Sequence, residues 1–521
     1  MTTAAARPRS FGERRRERRP PVRPATIPGL RPYIWVAAAA ITIAAVSLLF
    51  PSTPNYDPWA WVIWGREIVH GHLVTSGGPT WKPLPMFFTT VFAPLGDAAP
   101  DMWLVVARAG GLMALAMAFI LAARLTRDAI AAPRTMGQRL LWSAAPLLAG
   151  LVAAIGVLTL SRFVYDVSLG YSEGLLISFG LLAIARLRDG AHMQAFVFAF
   201  AASLDRPEVW PFLLLGGAWL WRRDPARRRS IAILVAALVP LWFLPDLIGS
   251  GSILRGVDYA LYPRAAAKAP CPFCTEWETV AWPLVLTPFK IGLALALAPG
   301  LLGLARLLAP GRHGLLKRTA MAIGSHRLVL ALVSVGLALF VEDALLTQLG
   351  SSGNDRYLFL PAAMLIIAGA AAWAWTMIWL ATALARFSGP TLGVLVALLV
   401  CGWCFLAVSP TRGSTLIDAG PTLRALRYQA KLREDLPRAV RDAGGHGRLI
   451  ACGPIVGNPS NAPLLAWALH TGIGQLQSLT GHVLIQSRAY GTAPLLPAVP
   501  AGGNYRLVAD VRTVRIYSDC R

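Results

Sequence analysis

Charge is scarce in this chain: Asp, Glu, Lys and Arg make up 14% of its 521 residues, against about a quarter in soluble domains. That is too little to clothe a soluble surface, and a chain that is 55% hydrophobic is not a disordered one either. Acidic residues are the scarcer sign, 26 against 49 basic. The resulting +23 does not read as a nucleic-acid-binding surface, because it is gathered in segments between apolar runs and so carries topological information. Cysteine is nearly missing, with six in the chain, and no internal repeat of 20–50 residues is visible. What the sequence has in abundance is long apolar runs. Those at 33–51 and 390–409 are about the roughly 20 residues that cross a bilayer core, so the chain reads as an all-α polytopic membrane protein.

Apolar runs between polar breaks predict eleven spans, near 33–51, 101–123, 140–160, 171–187, 191–205, 207–222, 230–248, 284–309, 327–347, 357–381 and 390–409. The fifth and sixth are short, as tilted half-helices or a broken hairpin would be. With the N-terminus inside, cytoplasmic segments hold 25 basic residues and outer loops eight, which is the positive-inside bias. The acidic residues run the other way, five inside and fifteen outside or at the outer ends of spans, so the polar chemistry faces outward. The expectation is a multi-pass protein of a bacterial plasma membrane, Ala, Gly and Arg richness pointing to a high-GC organism.

Three parts follow. Residues 1–32, with RRRERR at 14–19, form a disordered basic cytoplasmic arm that fixes topology and touches anionic lipid, with no cleavable signal after it. Residues 33–409 form the transmembrane domain. Residues 410–521 form a small extracytoplasmic α/β domain, with helices at 421–442 and 462–470, a strand at RLIACG (448–453) and two terminal strands. The cysteines fall into pairs. Cys271 with Cys274, and Cys452 with Cys520 on strands, lie in an oxidising compartment and are read as disulfides; a metal site competes for the C-x-x-C pair, but only one such pair exists where two are needed. Cys401 and Cys404 lie inside a span as small core residues.

The first outer segment, 52–100, exceeds the roughly 15 residues at which loops become functional or disordered. Trp59, Trp61, Ile63, Trp64, Ile68 and Val69 suit an interfacial helix with aromatics at headgroup depth. Pro79, Pro83 and Pro85 then break the chain before an apolar MFFTTVFAPL. Two ionisable residues stand out. Asp57 follows the first span, where it can accept a proton from a hydroxyl or equally cap the helix, and Lys82, between Trp81 and Pro83, can pair with a lipid phosphate. His70 and His72 face the interface.

An acidic residue beyond the first span, an amphipathic helix and a Lys-Pro motif before the second resemble the C-type integral membrane glycosyltransferases. The similarity is to the protein O-mannosyltransferases and bacterial aminoarabinose transferases of lipid A (glycosyltransferase family 39-like), whose motif reads Lys-Pro-Pro-Leu where this chain has Lys82-Pro83-Leu84-Pro85. The resemblance covers the first half of the membrane region best. It implies that Asp57 is the catalytic base, that Lys82 holds the phosphate of a polyprenyl-phosphate sugar, and that Glu173 in SRFVYDVSLGYSEGLL is a second acidic residue near the acceptor. GNDRYLFLP (353–361) resembles an Arg-aromatic patch that would add Arg356 and Tyr357 to the phosphate site, and LDRPEVWPF (204–212) places Arg206 with Asp205 and Glu208 at an outer turn. Arg206 in an ion cluster capping a helix, and Arg356 as an interfacial anchor, are the competing readings. Arg108, two turns inside the second span, needs a partner or water at that depth and is placed in the same cavity.

The expected reaction is inverting transfer of a hexosyl or pentosyl unit from a polyprenyl phosphate to a hydroxyl of a glycan, lipid or protein acceptor on the outer face, in cell-envelope synthesis such as that of arabinan or mannan. A monophosphate leaving group held by fixed cations calls for no metal and no cofactor. Two other classes are weighed: a lipid or polysaccharide flippase, which predicts broken mid-membrane segments in two related halves, and a non-catalytic envelope scaffold. Convergence of Asp57, Glu173 and Lys82 separates an enzyme from the latter.

Overall fold

The computed structural model describes residues 29–128, 130, 136–262, 273, 285–308, 315–409, 419–476, 480–500 and 503–520; Cys271 and Cys274 lie outside these. The membrane part runs α1 (Arg31–Val46), α2 (Tyr56–Val69), α3 (Pro83–Phe92), α4 (Ala99–Asp128), α5 (Met136–Leu158), α6 (Phe163–Ser168), α7 (Glu173–Arg188), α8 (His192–Ser203), α9 (Trp210–Arg223), α10 (Arg228–Ser250), α11 (Arg255–Leu261), α12 (Thr287–Leu308), α13 (Leu315–Gln348), α14 (Phe359–Ser388) and α15 (Pro390–Ala407). Among the described residues, seven helices are long and apolar enough to cross a membrane. The predicted runs at 171–187, 191–205 and 207–222 form the shorter α7, α8 and α9, of 16, 12 and 14 residues. At 1.5 Å per residue α8 is only about 18 Å long, and its hairpin with α9 turns at Pro207–Val209.

Helix α14 is the axis of the bundle. Its site-end half, from Phe359 to Ala372, is buried because α4, α5, α7, α12, α13 and α15 all pack around it. Close approach there rests on glycine: a Cβ on Gly292 would meet the Gly369 carbonyl at 2.4 Å. At the end of the bundle away from α2, an ionic lock joins α1, α4, α7 and the start of α8. Arg186, fully buried, binds Asp189 at 2.9 Å and Gln194 at 2.8 Å, Arg124 donates to the Tyr33 hydroxyl at 2.8 Å, and Arg188 binds Asp128 at 2.6 Å.

The remainder is a small α/β domain of α16 (Ala419–Asp442), α17 (His446–Cys452), α18 (Ala462–Ala468) and strands β1 (Ile455–Gly457), β2 (Val483–Arg488), β3 (Leu495–Leu496), β4 (Arg506–Val511) and β5 (Val514–Ser518). The sheet order is β1-β2-β5-β4, with β1 parallel to β2, β5 antiparallel to both neighbours and β3 added to β2. The expected strand over 448–453 is instead helix α17. Glycines with left-handed φ bracket it, Gly445 at 89° and Gly453 at 128°, so the alternation closes into two turns with Leu449 buried. Cys452 therefore ends a helix and Cys520 follows β5; a disulfide joins them across a Cα separation of 5.9 Å. Cys401 and Cys404 are free, half-buried on α15.

The first loop holds α2 and α3, and its tryptophans face protein rather than lipid. Trp59, Trp61 and Trp64 are 0–2% exposed: Trp61 packs on Trp103 of α4 (5.5 Å), Trp64 on Trp81 (5.7 Å), and the C-terminal domain lies over Trp59. Trp59 packs on Trp467 (5.7 Å), Arg66 donates to the Thr471 carbonyl (3.1 Å), and Arg433 of α16 binds Asp101 at 2.6 Å. A run of aromatics spaced for an interface is equally spaced for a protein core, and the domain that covers it comes some 400 residues later.

Candidate active site

Two cations owe their placement to proline. Lys82 precedes Pro83 and is extended (φ −136°, ψ 113°), and Arg206 precedes Pro207 with φ −143°, ψ 126°, the conformation that a following pyrrolidine ring enforces. The Leu84 N–H then donates to the Leu204 carbonyl at 2.9 Å, which clips the two segments side by side. A third cation, Arg356, sits in the turn that opens α14.

These three gather round one carboxylate. Glu173 Oε1 lies 3.6 Å from Lys82 Nζ, 3.8 Å from Arg206 Nη2 and 3.9 Å from Arg356 Nε. Lys82 is also 3.6 Å from Asp205, donates to Ser172 Oγ at 3.0 Å and stands over the Trp61 ring. Arg206 binds Glu208 at 3.1 Å and stacks on the Tyr357 ring at 3.6 Å. Arg356 donates to Asp57 Oδ2 at 2.8 Å and lies over Tyr171 at 4.3 Å. Glu173 and Asp205 are 0–1% exposed and are held by ion contacts of 3.6–3.9 Å to the three cations. Bare carboxylates so deep are costly without paired cations, so the cluster is one unit of fixed charges.

Asp57 is not a cap. Asn55 is the N-cap residue, its N–H bonded to the Leu169 carbonyl, while Asp57 sits inside the first turn with its carboxylate turned to Arg356. The expected residues Asp57, Lys82, Glu173, Arg206, Arg356 and Tyr357 thus meet in one network. Arg108 does not join it: its guanidinium donates to Ser47 Oγ (2.8 Å), Ser52 Oγ (3.0 Å) and the Ser168 carbonyl (2.8 Å). Neighbouring serines and a carbonyl satisfy the depth argument as well as a cavity would, and Arg108 ties α4 to the end of α1 and to α6.

Several members had no motif. Tyr171 and Ser172 flank Glu173, and Asp166 in α6 is 3% exposed, its carboxyl pushed up to about 7 by burial against the pull of Arg356 and Arg162. Their signal was density of polar residues in one short segment after a span. Away from the cluster, Cys452, Asp519 and Cys520 have metal-like spacing, but their sulfurs are joined to each other, leaving no thiolate to donate.

Below the cluster runs an apolar cavity of about 300 Å³ between α7, α8, α9, α13 and α14, from Val209 and Leu360 at the cluster end to Leu187, His192 and Trp219 at the other. Leu360 is one turn beyond Arg356 and Val209 three residues beyond Arg206, so this end of the cavity adjoins the cluster, although none of the three cations lines it.

A multi-pass membrane bundle with a charged pocket at one end is the class these features define. No family model matches the sequence, and no curated protein does. Solved structures to which the chain is similar include two membrane proteins. ArnT from Cupriavidus metallidurans, crystallised with undecaprenyl phosphate, is 13% identical with a TM-score of 0.46, over 95% of this chain and 99% of that one. The Archaeoglobus fulgidus oligosaccharyltransferase in its apo form is 14% identical with a TM-score of 0.36, over 84% of this chain and 64% of that one.

Proposed function

We propose that this chain is a membrane glycosyltransferase that moves a sugar from a polyprenyl phosphate to an acceptor hydroxyl at the outer face of a bacterial plasma membrane, with inversion at the anomeric carbon. The observation that carries the reading is the convergence of Lys82, Arg206 and Arg356 on one point, with Asp57 on the last of them, at the head of an apolar cavity. A lipid phosphate has this shape: one anionic group on a long apolar tail. The first isoprene units of the tail lie in the cavity and the phosphate meets the cations, which stabilise charge where it develops.

The acceptor oxygen attacks the anomeric carbon as the bond from that carbon to the phosphate oxygen breaks; the hydroxyl proton goes to Asp57, and the lipid leaves as a monophosphate with one more negative charge. Arg356 donates to Asp57 Oδ2, and a phosphate competes for the same guanidinium, so donor binding frees Asp57 to serve as the base. Glu173, enclosed by all three cations, acts here as the counter-charge that aims them rather than as a group touching the acceptor. Arg108 positions α6 and has no part in holding phosphate.

The test is a panel of polyprenyl-phosphate sugars with the purified chain, scored by release of free lipid phosphate. One donor is consumed, and Asp57→Asn lowers the rate about 10²- to 10⁴-fold, the range for loss of a general base, while still binding undecaprenyl phosphate. Turnover unimpaired in Asp57→Asn, or no donor consumed, overturns the assignment.

A further inference from the structure

A second cavity, of about 950 Å³, opens on the other side of α2, between the C-terminal sheet and the turn from α10 to α11. That is the upper part of the range for ligand sites, about 300–1,000 Å³. Its two walls differ. The membrane domain contributes Ser76, Ser250, Ser252, Arg255, Asp258 and Tyr259, all polar, and the C-terminal domain contributes chiefly apolar groups such as Val456, Leu476 and Pro497. A sugar chain has the matching character, with hydroxyls at the ring edges and C–H groups on the faces.

The polar wall is built before any ligand arrives. Arg255 donates to the Pro79 carbonyl at 2.7 Å and the Gly78 carbonyl at 2.9 Å, lies 3.7 Å from buried Asp246, and stands over the rings of Trp64 and Tyr259. The wall is linked to Asp57 by helix α2: Trp64, whose ring lies under Arg255, is seven residues along that helix from Asp57, about 10 Å at 1.5 Å per residue. On its far side α11 meets the loop leading to Arg356, where a Cβ on Gly350 would come 2.7 Å from the Leu261 carbonyl.

We propose that this cleft holds the carbohydrate of the acceptor, a neutral oligosaccharide whose growing end reaches Asp57 along α2 while its body lies between Tyr259 and Asp258 on one side and the C-terminal sheet on the other. The proposal rests on the glycosyl-transfer reading and deepens it. A binding role for the C-terminal domain follows, since half of the cleft is its surface.

The experiment uses the full chain in nanodiscs and saturation-transfer NMR with maltopentaose, mannopentaose and arabinopentaose as separate probes. At least one binds. Ala498→Trp, at an exposed position in the cleft, and Asp258→Ala, also exposed, each weaken it at least tenfold, whereas Lys82→Gln does not. Undecaprenyl phosphate shows the inverse pattern. Binding by none of the three saccharides, or binding that survives Ala498→Trp, overturns the proposal. Saccharide bound as expected with no undecaprenyl phosphate bound leaves the cleft standing and removes the donor instead.

Discussion

Replacing Arg356 by glutamine separates the two jobs given to that residue. The change takes from Asp57 its 2.8 Å partner and from Glu173 one of three cations. Breaking a buried pair costs about 3–5 kcal/mol, and the lower end applies because the side chains of Arg356 and Asp57 remain 17% and 14% exposed. For a bound lipid phosphate the loss is one charge-assisted hydrogen bond, about 1.5–3 kcal/mol, which is roughly 10- to 150-fold in Kd. Arg356→Lys keeps the charge but not the fork, and should recover part of the affinity. Titration of undecaprenyl phosphate by native mass spectrometry, with thermal melting on the same samples, reads both effects. A glutamine variant that folds and binds the lipid phosphate within twofold of the parent refutes the placement of Arg356 at the phosphate.

Gly65→Ala should lower the melting temperature and activity together, since its Cβ would meet the Thr89 backbone of α3 at 2.6 Å and overpacking of this kind costs about 1–3 kcal/mol; an unchanged melt would mean α2 and α3 are less closely packed than described. Reduction, or Cys452→Ser, opens a link spanning 68 residues and should destabilise the C-terminal domain by roughly 4 kcal/mol on the chain-entropy account, seen as an earlier melting step under reductant. Asp166, held up to about 7 by burial, binds its proton more tightly folded than unfolded. Its contribution is therefore complete below its unfolded value near 4 and lost as pH rises through 7. Asp166→Asn should melt above the parent at pH 8, keep part of that advantage at pH 5 and lose it as pH falls to about 4, and an equal difference at pH 8 and pH 4 would show that the carboxyl does not titrate there.

What could be read in advance was whatever local physics decides. Apolar runs mark helices because the bilayer tolerates little else, and Lys82 and Arg206 stand out because a following proline dictates their backbone. Asp57 was visible as a residue, but not its partner, which lies 299 positions away. The same distance in sequence hid the fate of Trp59, whose cover is Trp467 of α18. RLIACG has the alternation of a strand, and only the φ of its flanking glycines turns it into α17. Arg108 was rightly seen to need partners, but serines 56 and 61 positions away supply them, and hydroxyls leave no mark in a search for charge.

The burial of α2 under α18 has a consequence for biogenesis. The helix carrying Asp57 emerges early from the ribosome, whereas Arg433, Trp467 and Thr471, which pack on it, are made several hundred residues later. Until they arrive, Trp59 and Arg66 lack the surface that covers them, so α2 reaches its described setting only after the C-terminal domain has folded against it.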